Sequence, residues 1–254
     1  MVRMSNEKII GNDLKIFDVI DSTNLYAKQH IDELSHGSVV MSGRQTHGRG
    51  RRGRVWNSSD DGGLYMTIVL KNDINTEFAM RYVIATAIGM CKAVNEYGAN
   101  AAIKWPNDIV KDGKKMCGIL LEMVSDSEHK NDIIVGIGLN VLNNDFDEEL
   151  KKTATSLFLE TGKNYDKNDV AKKAFEKLDE AYKYCVNDFD KLLCEYKNLS
   201  DTLNKQVRIL ELDGKERISG EVIDFDEYGR IVLKDYSGNI HHINSGDVSL
   251  RRKE

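Results

Sequence analysis

An arginine-rich loop is the segment of this chain best suited to bind an anion. Residues 44–54 read RQTHGRGRRGR, so five arginines and three glycines fall within eleven residues of a chain whose formal net charge is −5. Glycine lets backbone N–H groups approach a ligand, and arginine presents a planar set of donors that matches phosphate or carboxylate. We therefore predict that this arginine–glycine loop binds a nucleotide phosphate. The alternative is a solvated basic turn. The segment is not a P-loop, because the Gly-Lys-Ser/Thr ending is absent.

Two side chains outside the loop could complete a nucleotide site. Trp56 offers an indole face on which a purine could stack, although packing in a core would explain it equally well. Lys104 ends a predicted strand shortly before Pro106, the only proline of the chain. A buried ammonium at that place would need an anion, whereas a lysine whose ammonium reaches solvent along its aliphatic stem would not.

Small polar residues and glycines inside strands indicate where an uncharged ring could lie. The Ser22-Thr23-Asn24 segment begins a predicted helix, where its side chains either cap the helix or donate to a ligand beside the free N–H groups. Gly118, Gly136 and Gly138 interrupt two apolar strands, and a glycine within a strand marks a bulge or a close approach by another group. Either a compact ring on the sheet or tight packing of a long helix would explain these glycines.

The elements that must position these residues mix strands with helices. Strands are predicted at 14–20, 38–42, 64–70, 101–105, 116–124 and 133–141, and the last two form a hairpin around a polar loop. Helices are predicted after Ser22, from Thr76 to about Gly98, and near 155–161, 168–186 and 188–198. Because strands pair in hairpins and helices pack on them, an α+β fold fits better than a doubly wound sheet.

A second kind of pattern begins near residue 202. Short strands are predicted at 206–212, 218–225, 230–235 and 240–244, separated by turns such as Asp213-Gly214 and Tyr228-Gly229. This pattern predicts a small all-β barrel. We place the boundary at 199–202, which gives domains 1–200 and 201–254.

Composition restricts the class of protein. The chain has 254 residues, 41% hydrophobic and 30% charged, which is an ordinary globular mixture. The four cysteines, at 91, 117, 185 and 194, lack the spacing of a zinc or redox motif, so free thiols in a reducing cytoplasm are expected. No apolar run reaches the roughly 18 residues of a membrane span, and Met1 to Lys8 lack a signal-peptide core. We expect a cytoplasmic protein without a membrane partner.

Taken in order along the chain, these segments resemble the biotin protein ligases. The arginine–glycine loop together with KWPND at this spacing is highly specific. The matching segments cover almost the whole chain: DSTN at 21–24, QTHGRGRRGR at 45–54 with Trp56, KWPND at 104–108, GILLE at 118–122, GIGLN at 136–140 and GDVSLR at 246–251.

The resemblance implies a fold, a reaction and partners. The fold would be a catalytic domain related to class II aminoacyl-tRNA synthetases, followed by an SH3-like barrel. The reaction would join ATP and biotin into biotinyl-5′-AMP, with Mg²⁺ on the phosphates, and then transfer biotin to a lysine of a biotin carboxyl carrier protein. A homodimer is possible. Few residues precede the first predicted strand, so the N-terminal winged-helix repressor domain of some relatives, and with it DNA binding, is not expected.

The resemblance also implies roles for individual residues. Lys104, Arg49 and Arg51 would be catalytic, because preorganised positive charge lowers the repulsion between the biotin carboxylate and the triphosphate. Biotin would be bound by Ser22, Thr23, Asn24, Gln45, Arg49, Gly50, Arg51, Lys104, Gly118 and Gly136. ATP would be bound by Gly48, Arg51, Arg52, Trp56, Asn107, Lys115 and Asn140. No metal ligand is assigned.

Two other functions compete with this one. A lipoate or octanoate ligase or transferase would belong to the same superfamily, but its acyl chain would need an apolar tunnel rather than partners for a ureido group. A nucleic-acid-binding module would use the loop as an RGG-like segment. The net charge of −5 and the confinement of the basic segment to eleven residues weigh against that module.

Overall fold

The computed structural model describes residues 9–58, 60–71, 74–125, 127, 130–211, 214–244 and 247–250. Within these ranges the chain forms two β-sheets and five α-helices, so the predicted α+β class is confirmed. None of the helices in the described ranges combines the length and the apolar character needed to cross a membrane.

The larger sheet has seven strands. In chain order they are β1 (Leu14–Ile20), β2 (Val39–Gln45), β3 (Gly63–Leu70), β4 (Ala102–Lys104), β5 (Asp108–Lys111), β6 (Lys114–Ser125) and β7 (Asn131–Asn140). Their order in space is β1-β2-β3-β7-β6-β5-β4. The β1–β2 pair is parallel and every other pair is antiparallel, so the sheet is mixed.

Five helices accompany this sheet: α1 (Thr23–Gln29), α2 (Ala79–Asn95), α3 (Leu157–Thr161), α4 (Lys167–Asn187) and α5 (Phe189–Leu199). Side chains alternate between the two faces of each strand. Met66, Ile68 and Ile137 pack in the core that contains α2, whereas Val69 and Ile134 pack with residues of the α1 region. The α1 region packs against β2, β3 and β7 on the face opposite α2, and we call that face the site face.

The smaller sheet comprises β8 (Gln206–Leu210), β9 (Glu216–Phe225), β10 (Ile231–Asp235), β11 (Ile240–Ile243) and β12 (Asp247–Leu250). Its order is β11-β10-β9-β8-β12 and all its pairs are antiparallel. Phe225 meets Tyr196 of α5 edge-on, with ring centroids 5.1 Å apart. The apolar cores of the two sheets therefore form one continuous cluster.

The structure differs from the sequence-based prediction in several elements. Strand β1 has its predicted bounds, but β2 continues to Gln45 and α1 ends at Gln29. Strands β5 and β12 were not predicted, because Pro106-Asn107 resembles a turn and β12 has only four residues. Asp213 of a predicted turn, part of the polar loop before residue 131, and Gly246 and Arg251 of the quoted motif lie outside the described residues.

Candidate active site

Three glycines form the floor of a cavity on the site face. A Cβ atom added at Gly118 would lie 2.6 Å from Cζ3 of Trp56, and one at Gly138 would lie 2.6 Å from Cε2 of the same indole. A Cβ atom at Gly136 would collide with Asn24. Gly118 and Gly138 thus accommodate the indole of Trp56, and Gly136 accommodates Asn24 of α1. A ligand ring on this floor stays a prediction.

The cavity measures about 150 Å³ and gathers residues from distant parts of the sequence. It is lined by Ser22, Thr23, Asn24, Gln45, Arg49, Gly50, Arg51, Arg54, Val55, Trp56, Asn107, Asp108, Lys115, Gly118, Ile119, Leu120, Gly136, Ile137 and Gly138. The segments that resemble the biotin protein ligases before residue 140 all contribute to this lining.

One end of the cavity is lined by uncharged polar side chains, which a mostly buried hydrogen-bond network links to one another and to one carboxylate. The backbone N–H of Thr23 donates to Oε1 of Gln45 at 2.9 Å. The hydroxyl of Thr67 lies 2.8 Å from that of Thr23 and 2.6 Å from Oδ1 of Asn24. Asn24 donates from Nδ2 to Glu122 at 2.8 Å. Ser22 is buried and accepts from the N–H of Leu25, so it caps α1 as well as facing the cavity. Satisfied polar networks of this kind hold side chains rigidly.

Sequence reasoning assigned no role to two members of this network. Thr67 occupies a site-face position of β3. The sequence feature that could have identified it is a hydroxyl within an otherwise apolar strand. Glu122 ends the quoted GILLE segment, and only the structure shows that its carboxylate meets Asn24.

The other end of the cavity is cationic. The ammonium of Lys115 lies 2.7 Å from Oδ1 of Asp108 and 5.1 Å from the centre of the Trp56 ring. Arg51 donates from Nη1 to Oδ1 of Asn107 at 2.6 Å, and Asn107 donates from Nδ2 to the carbonyl of Ile119 at 2.8 Å. This end can therefore bind and polarise an anion.

The arginine–glycine loop bridges the two ends. It folds back on itself through a hydrogen bond from the N–H of Gly50 to the carbonyl of Arg54 at 2.8 Å. Arg49 lies 3.6 Å from Glu122, which anchors the loop to β6. A Cβ atom at Gly48 would collide with Ser58 and with the carbonyl of Trp56, so only glycine fits there.

Four predicted site residues do not line this cavity. Gly48 and Arg52 line neighbouring cavities around the loop instead. Asn140 is buried and donates from Nδ2 to the carbonyl of Thr155 at 2.9 Å. Lys104, expected at the reacting centre, is half-buried on β4 and is paired with Asp108, which is paired with Gly118. It therefore lies on the site face, one strand further from the floor than Asp108. It is Lys115, assigned only to ATP, that places its ammonium in the cavity.

A shift in strand pairing explains why Lys115 points to the cavity. Along β6, Gly118 and Leu120 belong to the site face, so strict alternation would continue it with Met116. However, the pairing of β5 with β6 shifts register between Ile109 and Val110, and Lys115 is paired with Val110. Such irregularities re-aim side chains. Met116 is fully buried in the core, and the Nζ atom of Lys115 would lie 2.8 Å from a Cβ atom at Gly118.

The cavity offers no activated nucleophile and no preformed metal cluster. Burial raises the pKa of the Cys117 thiol, which belongs to the core cluster behind the floor. Across the described ranges, no group of three or more His, Cys, Asp or Glu side chains could hold a metal ion.

Comparison with known proteins identifies the family. Residues 16–140 match the family model described as Biotin/lipoate A/B protein ligase family, and residues 202–251 match Biotin protein ligase C terminal domain. The bifunctional ligase/repressor BirA of Bacillus subtilis is 31% identical over 248 residues, which are 96% of this chain and 75% of that protein. The biotin--[acetyl-CoA-carboxylase] ligase of Mycobacterium tuberculosis is 29% identical, with 84% of this chain and 78% of that protein covered.

Solved structures agree. The biotin protein ligase of Aquifex aeolicus in complex with biotin and ATP superimposes with a TM-score of 0.82 at 30% identity, covering 95% of this chain and all of that one. The apo structure of the same Aquifex enzyme gives a TM-score of 0.78 at 27% identity, covering 95% of this chain and 99% of that one. The two family models, the curated relatives and the superposition converge, and the chain belongs to the biotin protein ligases of the biotin/lipoate A/B protein ligase family.

Proposed function

We propose that this chain activates biotin with ATP as biotinyl-5′-AMP and transfers the biotinyl group to a lysine of a biotin carboxyl carrier protein. The observation that carries the proposal is the pairing, in one cavity, of an uncharged polar end with a cationic end. The first end suits a neutral ring with donors and acceptors. The second suits a carboxylate meeting a phosphate. The Aquifex relative, whose structure was solved with biotin and ATP, supports this assignment.

The polar end is complementary to the ureido group of biotin, which has one acceptor oxygen and two N–H donors. The hydroxyls of Ser22 and Thr23 can donate to the oxygen. The side-chain oxygens of Gln45 and Asn24 can accept from the N–H groups. Because these partners are already bonded to one another, the site is preorganised and binding costs little ordering.

The cationic end supplies what adenylation needs. A carboxylate oxygen of biotin attacks the α-phosphorus of ATP, and the bond from that phosphorus to the pyrophosphate oxygen breaks. Both reactants are anionic, so fixed positive charge lowers the barrier. We assign this role to Lys115 together with Arg51 and Arg49. Lys104, which shares the site face with its strand partner Asp108, is the competing candidate. In the second step a neutral amine of the acceptor attacks the carbonyl carbon, and AMP leaves with the bonding pair.

Adenine would stack on Trp56. The indole lies on the glycine floor, and a second cavity beside it is lined by Asn57, Ser58, Asp147, Glu149 and Leu150, among others. Mg²⁺ fits as an ion carried by the triphosphate, because such sites need only one or two protein carboxylates beside the phosphates. Asp108 is the carboxylate in the cavity lining, and the ion would supply further charge neutralisation on the phosphates.

We also propose that the larger sheet with its helices corresponds to a class II aminoacyl-tRNA synthetase-like domain, and the smaller sheet to an SH3-like barrel. A boundary between residues 200 and 201 is supported by the end of α5 at Leu199 and by the start of the C-terminal family model at residue 202.

The test is incubation with ATP and biotin, followed by mass spectrometry for biotinyl-AMP. Parallel reactions contain lipoate or octanoate, and a further reaction adds a carrier protein or its variant with the acceptor lysine changed to arginine. We expect the biotin adduct, and labelling of the lysine-containing carrier only. A lipoyl or octanoyl adduct without a biotinyl one would favour the competing ligase, and no adduct with any acid would refute the adenylation chemistry.

A further inference from the structure

Trp105 lies where the smaller sheet meets the larger one. Its side chain is 2% exposed and donates from Nε1 to the carbonyl of Gly229 at 2.9 Å. Its backbone N–H donates to the hydroxyl of Thr202 at 3.1 Å. Gly229 belongs to the turn between β9 and β10, has a φ of +76°, and would bring any Cβ atom into collision with Ile84 of α2. The turn and its contact with Ile84 thus fix the position of the Gly229 carbonyl that accepts from the indole N–H.

Two residues further along the chain, Asn107 belongs to the cavity lining. Its backbone carbonyl accepts from the N–H of Ile119 at 2.9 Å, and its Nδ2 donates to the carbonyl of the same residue at 2.8 Å. Its remaining side-chain oxygen accepts from Arg51 at 2.6 Å. Segment 105–107 therefore connects a carbonyl of the smaller sheet to the arginine that the loop holds over the cavity.

We propose that Trp105 is a positioning residue, through which the smaller sheet holds Asn107 and thereby keeps Arg51 and the arginine–glycine loop over the adenylation site. The inference deepens the proposed function, on which it rests for its meaning in catalysis. Its structural half, the coupling of the smaller sheet to the loop, can be measured without any reaction. The polar end of the cavity is not part of this connection, so biotin affinity should not depend on Trp105.

The experiment compares amide hydrogen exchange across residues 49–54 in a set of variants at a temperature well below each unfolding midpoint. Trp105→Phe keeps the aromatic packing and removes the N–H donor. Thr202→Val removes, at nearly constant volume, the hydroxyl that accepts from the backbone N–H of Trp105. It replaces Trp105→Phe in the experiment if that variant does not fold. A net hydrogen bond of ordinary strength corresponds to roughly a fivefold change in an equilibrium. We therefore expect roughly fivefold faster loop exchange in each variant.

A double-mutant cycle tests whether the effect passes through Asn107. Asn107→Ala alone should speed amide exchange in the loop, and adding Trp105→Phe should change that exchange no further. The effects of residues that act through one contact are not additive. Thr86→Val is the matched control. Thr86 is buried in α2 and its hydroxyl contacts Tyr182 at 2.7 Å. Its loss should destabilise the fold without altering the loop.

The same variants separate this inference from the proposed function. If the wild-type protein makes biotinyl-AMP, Trp105→Phe should release it several-fold faster while the KM for biotin stays unchanged. If the wild-type protein makes none, the proposed function fails and the exchange measurements still decide the coupling. Unchanged loop exchange in both Trp105→Phe and Thr202→Val would overturn the role of Trp105. So would additive effects of Trp105→Phe and Asn107→Ala, or an equal effect of Thr86→Val on loop exchange.

Discussion

Replacing Lys115 by methionine tests which lysine serves adenylation. The change keeps the length of the side chain but removes an ammonium that lies 2.7 Å from Asp108 and 5.1 Å from the Trp56 ring. One unit charge acting over about 4 Å at an effective dielectric constant of about 20 contributes about 4 kcal/mol. Loss of a single preorganised donor at a reacting centre costs about 3 to 4 kcal/mol, or a hundredfold to thousandfold in rate. The two figures agree, so we expect adenylation to slow by at least about a hundredfold.

The assay must isolate the first step. Exchange of labelled pyrophosphate into ATP in the presence of biotin reports adenylation, and transfer from synthetic biotinyl-AMP to the acceptor reports the second step. Lys104→Met is the comparison, since Lys104 is the sequence-based candidate, and Lys114→Met is the control, since Lys114 is exposed at the start of β6. Lys114→Met should retain a rate close to the wild-type rate, Lys104→Met should slow exchange less than Lys115→Met, and circular dichroism should show all three variants folded.

Two results would refute the reasoning. If Lys104→Met slowed exchange as much as Lys115→Met, the sequence-based assignment of Lys104 would be right and the cavity lining would not mark the reacting groups. If Lys115→Met left exchange unchanged in a folded protein, Lys115 would hold Asp108 in place without taking part in the chemistry.

Three further predictions follow from the site and the smaller sheet. Gly118→Ala places a methyl group 2.6 Å from the indole of Trp56, so it should shift the fluorescence of that residue and raise the KM for ATP more than the KM for biotin. Unchanged fluorescence would contradict the contact between Trp56 and the glycine floor. Arg51→Gly should let biotinyl-AMP escape and label bystander lysines. In the wild type, amide exchange across residues 44–54 should slow when biotin and ATP are added, because the loop closes over the bound ligands. Equal exchange with and without these ligands would contradict this closure. A hydrogen bond from His241 lowers the pKa of Asp235 from 3.8 to about 2. The folded pKa lies below the unfolded one, so the carboxylate stabilises the smaller sheet above about pH 4 and ceases to do so as the pH falls to about 2. Asp235→Asn should therefore lower the thermal midpoint at pH 7 and match the wild type near pH 2, whereas an equal deficit at both pH values would count against this linkage.

The sequence alone determined the parts of the site whose chemistry is local. The run of arginines and glycines at 44–54 indicated an anion-binding loop, and the structure places Arg49 and Arg51 on the cavity. Gly118 and Gly136 stood out because glycine inside an apolar strand needs a steric reason, and that reason is visible in the contacts with Trp56 and Asn24. Alternation of apolar and polar residues along the chain was enough to predict the bounds of β1, although none of its side chains is fully buried, and to predict the α+β class.

Tertiary structure decided which distant side chains meet. KWPND reads as a single motif, yet the structure gives its members different contacts. Trp105 donates to the smaller sheet, Asn107 accepts from Arg51 of the loop, and Lys104 lies on the site face one strand further from the floor than Asp108. The physical reason is β5, a four-residue strand that begins at Asp108. The sequence did not predict it, because Pro106-Asn107 resembles a turn. Its pairing with β6 inserts one strand between Lys104 and the floor, and the register shift in that pairing turns Lys115 toward the cavity. Strand order and a one-residue shift in register depend on long-range pairing, which no local pattern in the sequence encodes.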